Sequence, residues 1–226
     1  MRRSACTTRL TLFALAVLLP LSIPVSQAGQ SARPASNSPQ PGRFDYYLLT
    51  LSWSPTFCLT HARDPFQCSG KGYGFVLHGL WPQYDDGGYP EYCAADRHLS
   101  RDAEAAGKLV FISPVLMRHE WEAHGTCSGL EAQHYFQAAD RALAAVRIPT
   151  PFDAPRRQRN LTATQIIEQI RSANPGLPAN SLVVACGRGE LTEVRLCLTR
   201  ELQPRTCGRG VRTSCPTRGI VIPARR

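Results

Sequence analysis

Phe75–Cys93 reads FVLHGLWPQYDDGGYPEYC, and this stretch sets the framework of the fold. GFVLHGLW, Gly74–Trp81, is rich in aliphatic and aromatic residues and reads as a strand that Pro82 stops. The turn-forming run DDGGYP follows at Asp85–Pro90. Strict alternation would place His78 and Leu80 on one face of the strand, and Leu77, Gly79 and Trp81 on the other. With pairing ended at Pro82, Trp81 stands at a sheet edge beside a loop. There it can stack on a nucleobase or simply fill core.

Upstream, Phe44–Trp53 (FDYYLLTLSW) reads as another strand. Downstream, Arg101–Phe111 reads as a helix, and Pro114 suits the first turn of a second one that Gly125 ends. Leu130–Val146 has the apolar spacing of an amphipathic helix. Thr162–Ser172 is helical, opened by a capping box of Thr162 and Gln165. Ser181–Ala185 and Leu191–Thr199 read as strands joined through GRGE, and Ile220–Ile222 as a short last strand. Helices and strands mix without a βαβ rhythm. The expected class is α+β: one domain with an antiparallel-rich central sheet and several packed helices.

The chain has 226 residues. Arg2, Arg3 and Arg9, the apolar run Leu10–Leu21 and the small residues around Ala28 have the layout of a secretory signal peptide over residues 1–28. Residues 29–42, rich in Pro, Ser and Gln, have too little apolar surface to fold and read as a disordered leader. The folded domain is expected over 43–226. No second apolar run would span a membrane. The formal charge is +9, of which three charges lie in the signal peptide, leaving +6. A basic surface favours polyanions such as RNA, and equally anionic membranes and cell walls. Cys6 falls in the signal peptide. The eight remaining cysteines, in an exported chain, read as four disulfides, with 105 pairings open to them. No C-x-x-C pair supports zinc.

The second chemical segment is HEWEAH, His119–His124. At about 100° per residue on a helix, Ala123 lies near 40° from His119, Glu120 near 100° and His124 near 140°. The two histidines flank the carboxylate on one side. A helical zinc motif sets histidines four apart, about 40° around the axis; these are five apart and diverge. The spacing favours acid–base work over metal chelation, with no cofactor and no metal expected. A neutral and a protonated histidine can take a proton on one side of a phosphorus and return one on the other. RNA supplies its own nucleophile, the 2′-hydroxyl, which DNA lacks.

The segments Phe75–Cys93 and HEWEAHGTC (His119–Cys127), in this order and about 40 residues apart, resemble the two catalytic segments of the T2 family of ribonucleases, in its periplasmic and secreted bacterial form. The likeness runs on to the GxLxEVxxC stretch ending at Cys197 and is thin between Ser128 and Ser181. It implies an α+β fold and an RNA-cleaving enzyme that forms 2′,3′-cyclic phosphate and then 3′-phosphate ends. It implies His124 as general base, His78 as general acid, His119 as phosphate holder and Glu120 as stabiliser of the transition state. Trp81 and Tyr89 would stack a base. It further implies the pairs Cys58–Cys68, Cys93–Cys127, Cys186–Cys215 and Cys197–Cys207. A monomer acting on RNA and, for want of the 2′-hydroxyl, not on DNA is expected, and the signal peptide points to the periplasm or the outside of the cell. One departure stands out. The family commonly carries a lysine where this chain has Ala123, which the helical angles turn toward the site. Either an arginine replaces that cation or turnover is reduced. A metal-dependent phosphodiesterase and a basic RNA-binding protein without turnover are the competing functions.

Overall fold

Tyr46–Trp53 (β1) is apolar on both sides, and the computed structural model, which describes residues 39–153 and 156–224, places it inside the sheet. Tyr47, Leu49, Leu51 and Trp53 join the main core, while Tyr46 and Leu48 join a smaller cluster with Cys197 on the other face. The expected signal peptide, and residues 29–38 of the expected leader, lie outside the described residues. Of the leader's end, the Gly42 N–H donates to the Cys127 carbonyl at 2.9 Å.

Two antiparallel neighbours flank β1: Phe75–Gln83 (β2) and Glu190–Leu198 (β5). Leu182–Gly187 (β4) forms a hairpin with β5. Its link is Arg188-Gly189, with φ of 55° and 83°, the left-handed pair that a two-residue hairpin turn requires. Arg159–Leu161 (β3) and Ile220–Ile222 (β6) complete the six strands of the described residues, in the order β2-β1-β5-β6-β3, with β4 paired to β5. Among the described residues, only the β5–β6 contact, at Glu190↔Val221, is parallel.

Ser54–Thr60 (α1) follows β1 without a break, with a proline in its first turn. Arg101–Val110 (α2) and Pro114–Ala123 (α3) are capped by Ser100 and Ser113, whose side chains accept from Ala103 N and Leu116 N. Ala132–Ala144 (α4) buries Tyr135 and Phe136 in the main core beside Met117 and Trp121. A single turn, Thr150–Asp153 (α5), precedes β3. In Ala163–Ala173 (α6), the Thr162–Gln165 capping box forms in both directions, as its sequence leads one to expect. The class is the α+β one read from the sequence.

Three local expectations need correction. The strand does not stop at Pro82 but runs through it to Gln83. β2 is an edge strand bonded only to β1, and a proline without an N–H is tolerated there. Gly125 does not end α3 with a left-handed cap. The helix closes at Ala123, and Gly125 opens a 3-10 turn, Gly125–Cys127. Glycine is needed there for space, since a Cβ would overlap Trp121 and approach Tyr135. The faces of β2 also differ from strict alternation. Gly79 lies opposite Thr50 but Leu77 opposite Leu51, so His78 is an extra residue in a β-bulge. Leu77 and Leu80 therefore both enter the main core, and His78 turns to the same side as Trp81.

Four disulfides tie the loops to this frame: Cys58–Cys68, Cys93–Cys127, Cys186–Cys215 and Cys197–Cys207. The second joins the end of the loop after β2 to the 3-10 turn after α3. It thus links the two segments that carry His78 and His124.

Candidate active site

The bulge at His78 and the end of α3 bring His78, Glu120 and His124 around one aromatic ring, Trp81. The His78 and His124 rings each lie 5.1 Å from the Trp81 ring, the first edge-on and the second tilted by 35°. The Trp81 Nε1–H donates to Oε2 of Glu120 at 2.6 Å. The other Glu120 oxygen stands 3.7 Å from Nε2 of His78. Glu120 is almost wholly buried, at 1% side-chain exposure, while His78 keeps 31%. The packing leaves no room for a side chain at 79: a Cβ there would overlap both Glu120 Oε2 and Trp81 Nε1.

His124 closes the helix rather than lying within it, with φ −118° and ψ −44°. The Cys93–Cys127 bond follows three residues on. His119 lies on the exposed side of α3, and its ring is 6.5 Å from that of His124. Tyr89 projects from the loop after β2, is 53% exposed, and has its ring 6.1 Å from His124. That loop is pinned from below, because Arg205 pairs with Asp85 at 2.6 Å and the Arg209 N–H donates to the Asp85 carbonyl at 2.7 Å.

Burial and charge drive the titrating groups apart. Burial pushes Glu120 up to about 7, although His78 and the Trp81 hydrogen bond oppose it. Burial also pushes His124 down to about 4, helped by the positive charges of His119 and His78. Its Nδ1 is buried with no hydrogen-bond partner, so a proton there would find no acceptor. For His78 burial pulls down as well, but the Glu193 hydrogen bond and the charges of Glu120 and Glu193 prevail, and it is raised.

Two participants come from β5, which the sequence reading did not single out. Nδ1 of His78 bonds Oε1 of Glu193 at 2.6 Å, and Arg195 grips the other Glu193 oxygen through Nε (2.8 Å) and Nη2 (2.6 Å). The Arg195 guanidinium also lies 5.6 Å over the Trp81 ring. Glu193 lies within the quoted GxLxEVxxC stretch, but nothing local marks it as a partner of a residue 115 positions away. Ala123 is fully buried and lines no open space; its carbonyl accepts from the Tyr92 N–H. Among the described residues, no three His, Cys, Asp or Glu side chains are grouped to hold a metal ion. No helix among them is long and apolar enough to cross a membrane.

The sequence model of the ribonuclease T2 family matches residues 44–207. The chain belongs to that family. It is 50% identical over 99 residues to a ribonuclease of Aeromonas hydrophila, covering 43% of this chain and 44% of the relative. It is 29% identical over 179 residues to a probable ribonuclease of Haemophilus influenzae, covering 72% and 61%. The chain thus spans about half the length of these two curated relatives. Among solved structures, RNase NT in complex with 5′-AMP superposes with a TM-score of 0.64 at 23% identity, covering 80% of this chain and 98% of that one. This last likeness concerns the fold.

Proposed function

We propose that this chain is an exported endoribonuclease that cleaves RNA by acid–base transphosphorylation without a metal. His124 takes the proton of the 2′-hydroxyl, whose oxygen attacks the adjacent phosphorus. The bond from phosphorus to the 5′-oxygen breaks, and His78 gives that oxygen its proton. The products are a 2′,3′-cyclic phosphate and a free 5′-hydroxyl. In a second step water replaces the 5′-hydroxyl, the roles reverse, and a 3′-phosphate results.

The observation that carries this reading is the opposed pair across Trp81. His78 is biased toward its proton and His124 away from it, each 5.1 Å from the same indole. Groups whose surroundings push their proton affinities apart are the natural acid and base. Glu120, carrying its own proton below about pH 7, can donate to a phosphoryl oxygen as negative charge grows there. His119, exposed on the same side, can hold the phosphate. The ring of Trp81 is already flanked by His78, His124 and Arg195, so its main task is to fix Glu120. Tyr89, with more than half its surface open, is the better platform for a base.

Four disulfides fit an oxidising compartment, in the periplasm or beyond the cell. We further propose a monomer that leaves DNA intact, since DNA offers no 2′-oxygen. The test is dinucleotide cleavage by the His78→Ala and His124→Ala variants. Each should lose roughly 10²–10⁴-fold in turnover. Normal turnover in either would overturn the assignment, and no RNA cleavage by the parent protein would favour the basic RNA-binding alternative.

A further inference from the structure

His78 on β2 and Glu193 on β5 are separated by β1, yet their side chains meet at 2.6 Å. Two features of the sheet allow this. The bulge rotates His78 away from the core face, and Glu193 lies opposite Ser52, next to the Leu51 position where the β1–β2 register shifts. Arg195, two residues along the same strand, holds Oε2 of Glu193 with two hydrogen bonds, so the carboxylate cannot swing away from the imidazole. Burial alone would raise Glu193, but His78 and Arg195 outweigh it and hold it below the ordinary carboxylate range. An ionised carboxylate on Nδ1 keeps the proton on that nitrogen and leaves Nε2 pointing toward Glu120 and the open site.

We propose that Glu193, clamped by Arg195, is a positioning residue of the cleavage: it fixes the orientation of His78 and presents the Nε2 proton to the leaving 5′-oxygen. This rests on the assignment of His78 as the acid. The charged or titrating groups around His78 are Glu193 and Arg195 from β5, Glu120 from α3, and His124 at the end of that helix with His119 beyond it. Of these, Glu193 alone touches Nδ1, and Arg195 alone adds positive charge from behind it.

The test compares pH–rate profiles on a dinucleotide and on a uridine 3′-aryl phosphate, whose phenolate leaves without a proton. Glu193→Gln keeps the shape and removes the charge. Turnover on the dinucleotide should fall roughly 10–100-fold, part of the 10²–10⁴ that a well-placed acid contributes. The alkaline limb should move to lower pH, and the aryl ester should be largely spared. Arg195→Gln releases the carboxylate but also removes a charge that opposes protonation of His78, so dinucleotide turnover should fall while the alkaline limb does not follow that of Glu193→Gln to lower pH. A merely structural role would lower rates and leave the alkaline limb of Glu193→Gln in place, and that result overturns the proposal. The acid assignment is tested separately by His78→Ala, which should lose the dinucleotide and keep the aryl ester. If it loses both equally, the assignment fails and this inference with it. Should Glu193→Gln not fold, the imidazole titration of His78 followed by NMR in Glu193→Asp, whose shorter side chain draws the carboxylate back from Nδ1, decides: a downward move supports the positioning role, and none contradicts it.

Discussion

The indole nitrogen of Trp81 and Oε2 of Glu120 are joined at 2.6 Å across the gap left by Gly79. The bond links an edge strand to a helix and fixes the buried carboxyl that faces His78. Because a methyl at 79 would occupy the space of both bonded atoms, Gly79→Ala should displace them. The expected cost is about 1–3 kcal/mol in stability from overpacking. The expected loss in kcat is roughly 10²-fold, the size of effect that misplacement by about an ångström produces. Thermal melts and dinucleotide kinetics on the one variant measure both. Wild-type turnover would show that this bond does not matter.

Glu120 is buried and raised to about 7 from 4.5, so ionising it in the folded protein is penalised. Below pH 4.5 the folded and unfolded carboxyls are both protonated and the penalty is absent. It grows as pH rises from 4.5 to 7 and is complete above 7, where it amounts to about 3 kcal/mol at most. Glu120→Gln should therefore match the parent in stability near pH 4.5, exceed it at pH 8, and lose activity. Urea unfolding at the two pH values checks this, and an equal difference at both would contradict it.

The free-enzyme profile of kcat/KM should be bell-shaped. As the proposed base, His124 must be neutral, so the acidic limb should lie near pH 4. As the proposed acid, His78 must be protonated, and it is raised above 6.5, so the alkaline limb should lie above that value. His119 helps hold His124 low, so His119→Ala should move the acidic limb to higher pH and weaken substrate binding. An acidic limb that stays in place in this variant would remove His119 from the electrostatics of the site.

Much of this frame was legible in the sequence. Caps, turns and apolar spacing are local, and so the Thr162–Gln165 box, the Arg188-Gly189 hairpin and the main strands could be read directly. The bulge at His78 could not. A period of two carries no mark of a register shift, and that shift sends His78 to the side of Trp81 rather than Leu80. Helix α1 was also hidden, because Thr, Phe and Cys are weak helix formers and the segment follows β1 without a loop. Glu193 and Arg195 sit in a stretch that reads as an ordinary strand, and only the sheet order brings them to His78. The sequence left Trp81 open between a stacking ring and a core residue, and gave no sign of its hydrogen bond to Glu120, since the partner lies on another element.

The Cys93–Cys127 bond closes a sequence separation of 34 and ties the segments that carry His78 and His124 together. Cross-linking a loop of that size contributes about 3–4 kcal/mol in the chain-entropy picture. Replacing both cysteines with serine should lower stability by that order. It should also reduce kcat more than a stability loss alone explains, once activity is measured well below the melting temperature. Full turnover in the folded variant would show that the bond does not position His124.

The central claim is tested most directly by ³¹P NMR of a dinucleotide incubated with the protein in excess chelator. The account predicts a 2′,3′-cyclic phosphate signal that appears first and gives way to a 3′-phosphate, at a rate unaffected by chelator. A 5′-phosphate product, or cleavage that stops when metal is withdrawn, would contradict it.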